Sequence, residues 1–124
     1  MKVTSSMPFN PKYPAQNCEL YEYESRFARC AKQGDWIEFQ FAKPVKCNYL
    51  KVATGYEHLR RCLIYKGHLE VCYDGKKFVR AGNLSDGAFI LRPKKKSVVH
   101  ALRIVADGIS DAEDRCIVQP LIIK

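Results

Sequence analysis

Hydrophobic and polar residues alternate at a period of two through the middle of the chain. The segment GDWIEFQF places Ile37, Phe39 and Phe41 on one side, which is typical of a half-buried strand. The residues AKP that follow predict the end of this strand. A second run, VKCNYLKVATG, places Leu50 and Val52 on one side and ends at a glycine that permits a turn.

The clearest local signal is a hairpin in the segment GHLEVCYDGKKFVRAG. Leu69, Val71 and Tyr73 alternate, and Asp74 with Gly75 predicts a tight turn with positive φ. Three further segments rich in Val, Ile and Leu follow: AFILRP, SVVHALRIVADG and CIVQPLIIK. Seven to nine such strands without a long helix predict an all-β fold, an antiparallel β-sandwich.

The first 34 residues follow a different pattern. Pro8, Pro11 and Pro14 exclude a long helix there, because proline breaks the helical hydrogen-bond ladder. We expect a short extended start at Lys2 to Ser5, and one or two helical turns within residues 15–29.

The length and composition indicate one packed domain over residues 1–124. The chain has 124 residues, of which 47% are hydrophobic, enough for a single core. It contains neither an apolar run long enough for a membrane span nor a secretory signal. We expect a module excised from a larger protein.

The formal net charge of +8 favours anionic ligands. The densest basic run is Arg92 with Lys94, Lys95 and Lys96, which predicts a solvated turn between strands or an anion site. The chain lacks an RNP-type aromatic motif and a basic helix, so nucleic acid is not the expected partner.

Catalytic signatures are missing from the sequence. Four acidic residues crowd the segment ADGISDAEDR: Asp107, Asp111, Glu113 and Asp114. Neighbours on one loop do not form the cleft that two catalytic carboxylates need, so a solvated loop is expected. The histidines lie in no metal motif, and no nucleophile motif occurs. We expect no enzyme activity in this chain, no metal and no other cofactor.

The six cysteines contain no CxxC pair, which argues against a zinc ribbon. Fifteen disulfide pairings are conceivable for six cysteines. A core of this size does not need disulfides, so mostly free thiols are expected.

Two segments supply candidate binding residues. TGYEHLRRC holds Tyr56, His58, Arg60 and Arg61, and YEYESRFAR holds Phe27 with Arg29, beside Tyr21, Tyr23 and Arg26. An aromatic ring can stack on the apolar face of a sugar, while Arg and His bond its hydroxyl groups. The alternative is structural: aromatics before the first long strand plug the open end of a sandwich, and the arginines form ion pairs.

The order of these motifs resembles the discoidin, or coagulation factor 5/8 type C, group of galactose-binding-like jelly rolls. GDWIEFQFAKPVKCNYLKVATG is similar to that group's strand, proline turn and second strand, and GHLEVCYDGKKF to its hairpin. VHALRIVADG and CIVQPLIIK resemble the last two strands. The matching segments run from about Val3 to the last residue.

Among such modules, the segments GDW, DGKKF and IVQPL are similar to those attached to bacterial, especially Bacteroides-type, family 20 β-N-acetylhexosaminidases. The resemblance implies a non-catalytic, carbohydrate-binding-like accessory domain of a secreted or periplasmic glycosidase. Its partners would be a weakly bound glycan and the catalytic domain in cis. The alternative is a structural domain that packs on the catalytic barrel and binds no free ligand.

The chain departs from the family pattern in two places. The calcium-holding segment of many members is replaced by AQNCELYEYESRFAR, so no metal is expected there. Cys116 stands where a Trp often begins the final strand, and Pro120 follows the glutamine. Proline cannot donate to a sheet ladder, so this strand is predicted at an edge or with a bulge.

Overall fold

The computed structural model describes residues 1–56, 63–108 and 115–124. These residues form one short helix, α1 (Gln16–Glu19), and ten strands. The strands are β1 (Lys2–Ser5), β2 (Ser25–Arg26), β3 (Trp36–Cys47), β4 (Leu50–Ala53), β5 (Gly67–Cys72), β6 (Val79–Asn83), β7 (Ala88–Leu91), β8 (Ser97–Ala106), β9 (Ile117–Val118) and β10 (Ile122–Ile123). All their pairings are antiparallel, which confirms the predicted all-β antiparallel sandwich.

The strands form three sheets around one core. The largest has the order β1-β3-β8-β5-β6, the second the order β10-β4-β7, and β2 pairs with β9. Ile37 and Phe39 of β3, Leu102 of β8, and Leu50 and Val52 of β4 are fully buried. The alternation found in the sequence thus separates the core side of each strand from its outer side.

The prediction that β3 ends at AKP is wrong, because the strand continues to Cys47. Its register with β8 shifts between Gln40 and Val45, at a bulge. Residues in a bulge have no regular ladder partner, so Pro44 is accommodated although it has no N–H to donate.

The tight turn predicted at Asp74 and Gly75 is wrong in detail. Residues 73–78 connect β5 to β6, and of these two residues only Gly75 has positive φ, at 77°. Asp74 contributes instead through its carboxylate, which accepts hydrogen bonds from the N–H groups of Lys76 at 2.8 Å and Lys77 at 3.1 Å. The connection is therefore a side-chain-stabilised loop.

The last segment is divided into two strands. β9 pairs with β2, whereas β10 pairs with β4 at the edge of the three-stranded sheet. Pro120 lies between them. It has no N–H to donate, so it interrupts the ladder and separates the two strands.

Cys18, Cys30, Cys47 and Cys72 are free thiols, and Cys18, Cys47, Cys72 and Cys116 are buried. Burial raises the pKa of the Cys18 and Cys47 thiols. Cys62 lies outside the described residues. No helix in the described ranges has the length and hydropathy to cross a bilayer.

Candidate functional site

An open groove of about 810 Å³ lies at one end of the sandwich, where β4 finishes and β5 and β7 begin. We call this end the groove end. The residues that line it are Tyr21, Lys51, Ala53, Thr54, Gly55, Tyr56, Ser85, Asp86, Ala88, Gln119, Pro120, Leu121 and Ile122. They come from four separate parts of the chain, so the groove exists only in the folded protein.

The space of the groove comes from small side chains on two paired strands. Ala53 of β4 lies opposite Ala88 of β7, and both line the groove. Ile122 is 46% exposed beside them. This apolar floor is bordered by the hydroxyl, carboxylate and amide groups of Ser85, Asp86 and Gln119, the mixture found in small-molecule sites.

The backbone beneath the groove is held by Thr54. Its hydroxyl donates to the carbonyl of Gly87 at 2.8 Å and accepts from the N–H of Ile64 at 2.9 Å. Gly55 and Gly87 both have left-handed φ values, 64° and 77°. A Cβ on Gly55 would lie 2.7 Å from the Cβ of Leu63, so this close approach requires glycine.

Tyr56 directly follows this segment and is fixed by a buried acid. Its hydroxyl donates to the carboxylate of Glu24, which is 5% exposed, and it also lies 3.4 Å from a guanidinium nitrogen of Arg26. Arg26 pairs with the same carboxylate at 2.7 Å. Burial and then the bond to Glu24 raise the pKa of Tyr56 to about 12, so the hydroxyl stays protonated and donates.

Further aromatic rings extend this cluster. The Arg26 guanidinium lies 3.9 Å from the centre of the Tyr13 ring, a cation–π contact. Tyr13 stacks on Tyr23 with ring centres 6.2 Å apart, and Tyr23 is 54% exposed. A row of tyrosines therefore runs from the groove across the outside of the groove end.

Two groove residues have an unusual backbone. Tyr21 (φ 58°) and Asp86 (φ 49°) are the non-glycine residues with positive φ in the described part of the chain, and both line the groove. The left-handed region is rare for a large side chain such as tyrosine. Local strain of this kind concentrates at functional sites.

The structure places the candidate residues predicted from the sequence in different environments. Tyr56 lies in the groove. Phe27 is fully buried and packs on Phe9 with ring centres 4.7 Å apart, so its ring cannot stack on a ligand and its proposed binding role is corrected. The structural alternative applies to Phe27, which plugs the core. His58, Arg60 and Arg61 lie outside the described residues.

Arg29 forms an ion pair with Asp35. Its guanidinium donates to both carboxylate oxygens of Asp35, at 2.6 and 3.0 Å. The hydrogen bond from Arg29 is the main cause that lowers the pKa of Asp35 to about 2. This pair stabilises the approach to β3. The Arg29 side chain is still 35% exposed, so its proposed binding role stays a prediction.

A polar network covers the outer face of the five-stranded sheet. His68 lies 2.7 Å from Asp107 through Nδ1 and 2.8 Å from Glu70 through Nε2. Arg103 joins Glu70 to Glu38 across three strands. The other acids of the segment predicted as a solvated loop, Asp111, Glu113 and Asp114, lie outside the described residues. Within the described ranges, no group of three or more His, Cys, Asp or Glu side chains could hold a metal ion.

Sequence reasoning missed Glu24 and Asp86, and it identified Tyr21 and Arg26 only as members of the mixed segment YEYESRFAR. The motif YEYESR already contained an acid and an arginine among tyrosines, the composition of a hydrogen-bonded cluster. Nothing local connected them to Tyr56, which lies 32 residues from Glu24 in the chain.

Comparison with known proteins shows the fold. No protein-family model matches the sequence, and no curated protein matches it. Among solved structures, chitosan-binding module 1 of a chitosanase/glucanase from Paenibacillus sp. IK-5 is similar, with a TM-score of 0.71 at 10% identity. The similarity covers 98% of this chain and 92% of that one.

Two modules from Clostridium perfringens are also similar. The family 32 carbohydrate-binding module of NanJ, solved with galactose, has a TM-score of 0.68 at 10% identity and covers 98% of this chain and 90% of its own. The fifth such module of GH89, solved with GalNAc-β-1,3-galactose, has 0.59 at 15%, covering 98% and 93%. The chain thus has the galactose-binding-like β-sandwich fold.

Proposed function

We propose that this chain is a non-catalytic carbohydrate-binding module that holds a glycan in the groove. The observation that carries the proposal is the groove itself, with its two tyrosines, its floor of small residues and its left-handed Tyr21 and Asp86. A sugar would place its apolar face on a tyrosine ring and its hydroxyl groups on the polar border.

The structural neighbours support this proposal through what their names state. One is a chitosan-binding module, and two were solved with galactose or a galactose disaccharide. His58, Arg60 and Arg61, which follow Tyr56 in the sequence, remain proposed partners for sugar hydroxyls. The groove is open and offers few aromatic rings, so we expect weak binding, with a dissociation constant of about 1 mM for a single sugar unit.

The proposal extends to the protein context. We infer an accessory domain of a secreted or periplasmic glycosidase, with a β-N-acetylhexosaminidase as the specific expectation from the sequence resemblance. The catalytic domain would lie in the same polypeptide, and the module would keep it near its substrate. Sequencing the reading frame around this segment tests the context directly.

Replacing Tyr21 with alanine is expected to weaken glycan binding about tenfold, because it removes an exposed ring worth about 1.4 kcal/mol of stacking. Folding should not suffer, since Tyr21 is 46% exposed and alanine keeps the same Cβ at this backbone position. Calorimetric titration with galactose-, GlcNAc- and GalNAc-containing oligosaccharides, selected on a glycan array, measures the change.

Tyr73→Ala is the matched control, because Tyr73 is 40% exposed but lies in the β5–β6 connection at the other end of the sandwich. It should bind like the unmodified chain. Equal losses in the two variants, or no binding of any array glycan at millimolar concentration, would contradict the proposal.

A second function is favoured by one observation on the three-stranded sheet. Ile122 and Ile90 both pair with Lys51 across the strands and are 46% and 45% exposed. This strip of two exposed isoleucines on either side of Lys51 shares Ile122 and Lys51 with the groove, and it fits a module that packs on the catalytic domain in cis. Trp36 and Cys72 of the five-stranded sheet are half-buried and buried, so they offer no comparable apolar patch.

If the strip is a domain interface, Ile90→Ser with Ile122→Ser should lower the melting temperature of the parent enzyme by several degrees. The same change should leave the isolated module's melting temperature within about 2 °C, because exposed side chains contribute little to its own core. Differential scanning calorimetry on both proteins decides this, and an unchanged parent enzyme rejects the interface.

A further inference from the structure

The positive charge of the chain is concentrated at the end of the sandwich opposite the groove. Nine exposed cations lie in the segments that meet there: Lys43, Lys46, Lys76, Lys77, Arg92, Lys94, Lys95, Lys96 and Lys124. We call this set the basic end. Asp74 is the single acid in these segments, and its carboxylate is already bonded to two backbone N–H groups.

These nine cations account for the entire net charge. The sequence contains 21 lysines and arginines and 13 acids, so twelve cations and twelve acids remain for the rest of the chain. The rest is therefore neutral, whereas the basic end carries the excess of eight. Like charges gathered at one end of a protein repel one another, so this arrangement favours an anionic partner.

The nine cations lie in four segments, residues 43–49, 73–78, 92–97 and 122–124, which meet at this end of the sandwich. The N–H of Lys124 donates to the carbonyl of Tyr49 at 3.0 Å, and β3 pairs with β8 at Cys47 and Ser97, directly after the Lys94 to Lys96 run. The β5–β6 loop lies on the same end, where a Cβ on Gly75 would be 3.1 Å from Nδ1 of His100.

One tyrosine stands among these cations. The Arg92 guanidinium and the Lys124 ammonium group lie 5.0 and 5.2 Å from the centre of the half-buried Tyr49 ring. Both are within the range of cation–π attraction, which holds the two charges near each other despite their repulsion.

We propose that the basic end is a second binding surface, for a linear acidic polysaccharide that carries carboxylate or sulfate groups. Such a polymer presents a regular row of anions, and several exposed lysines on neighbouring loops can each contact one of them. Binding would be driven by release of the polymer's counterions. This surface is separate from the groove and does not depend on the function proposed for it.

The shortage of open aromatic rings favours a polysaccharide over a nucleic acid. Eight of the nine cations are lysines, hydrated point charges that can each contact one anionic group of a polymer. Single-stranded nucleic acids need several open aromatic rings for base stacking. In these described loops Tyr73 is exposed, whereas Tyr49 lies against Arg92 and Lys124.

The test measures binding to polygalacturonate, with neutral galactan and single-stranded DNA of equal charge concentration as comparisons. We expect binding to polygalacturonate that falls steeply between 50 and 200 mM salt and no salt-dependent binding to galactan. The variant with Lys94→Gln, Lys95→Gln and Lys96→Gln should bind at least tenfold more weakly. Its slope of log affinity against log salt should fall by about one unit per contacting lysine.

The control variant removes the same charge from elsewhere, through Lys12→Gln, Lys32→Gln and Lys66→Gln. These three lysines are exposed. Lys12 lies between β1 and α1, Lys32 before β3 and Lys66 before β5. A change of less than twofold is expected. Equal losses in the two variants, no binding at 50 mM salt, or tighter binding to the DNA than to polygalacturonate would overturn the proposal. Tyr21→Ala should leave this binding unchanged, which separates it from the groove.

Discussion

Replacing Asp35 with asparagine is expected to lower the free energy of unfolding at pH 7 by about 2 to 3 kcal/mol, as measured by urea denaturation. Asp35 is 8% exposed and its carboxylate accepts two bonds from Arg29. It also accepts one from the Ser6 hydroxyl at 2.8 Å and one from the Lys32 N–H at 2.7 Å. An asparagine NH₂ group would face the Arg29 guanidinium and leave it without its counter-charge.

The same carboxylate makes stability depend on pH in the acid range. Its folded pKa of about 2 lies below the ordinary value of 3.8, so the charged form is favoured in the folded state. The resulting stabilisation, about 2 kcal/mol, is present above pH 4 and is lost as the pH falls towards 2. Asp35→Asn should therefore show a flatter decline than the unmodified chain over this interval.

Asp74→Asn is the control for this measurement. The Asp74 carboxylate accepts hydrogen bonds from two backbone N–H groups, but unlike Asp35 it is exposed. It should change the stability little. Parallel loss of stability between pH 4 and 2 in the unmodified chain and Asp35→Asn would show that Asp35 is not the group responsible.

The strands could be predicted from the sequence because most of them carry a local signal, which is alternation in β3, β4 and β5 and a run of Val, Ile and Leu in β7 and β8. β1, β4, β7 and β8 appear where the pattern placed them, since their side chains face either the core or the surface. The errors occur where a single residue changes the ladder. Pro44 did not end β3 because a bulge absorbs it, whereas Pro120 did divide the final segment.

The groove could be predicted only in part, because it is built from distant segments. Tyr56 was found from its own side-chain chemistry, but its partner Glu24 is brought to it by pairing of β2 with β9 and the bridge between Thr54 and Val118. Phe27 was misjudged because its polar neighbours resemble a surface segment. Its burial follows from packing on Phe9, which no local pattern reveals.

The groove and the basic end divide the sandwich into two ends of different chemistry. At the groove end the cations Arg26 and Arg29 are paired with Glu24 and Asp35. At the basic end a single acid stands among nine cations. A neutral sugar and an acidic polymer could therefore be bound together, and each contact would raise the effective concentration of the other.

Replacing Gly87 with alanine is expected to lower the free energy of unfolding by about 2 to 4 kcal/mol. Gly87 has φ 77°, which costs an L residue about 1 kcal/mol. In addition, the new Cβ would lie 2.7 Å from the Thr54 hydroxyl oxygen and 2.8 Å from the Cβ of Leu63. The Thr54 side chain would have to leave the Gly87 carbonyl, and the floor of the groove would shift.

Gly34→Ala separates the two causes in this prediction. Gly34 also has positive φ, at 91°, but a Cβ there meets nothing within 4 Å, so only the backbone cost of about 1 kcal/mol is expected. Thermal and urea unfolding of both variants give the difference, which measures the crowding around Thr54. If the two variants lose the same stability, the close packing beneath the groove is not what Gly87 provides. If Gly87→Ala also binds glycan as tightly as Gly34→Ala, the Thr54 segment does not shape the ligand site.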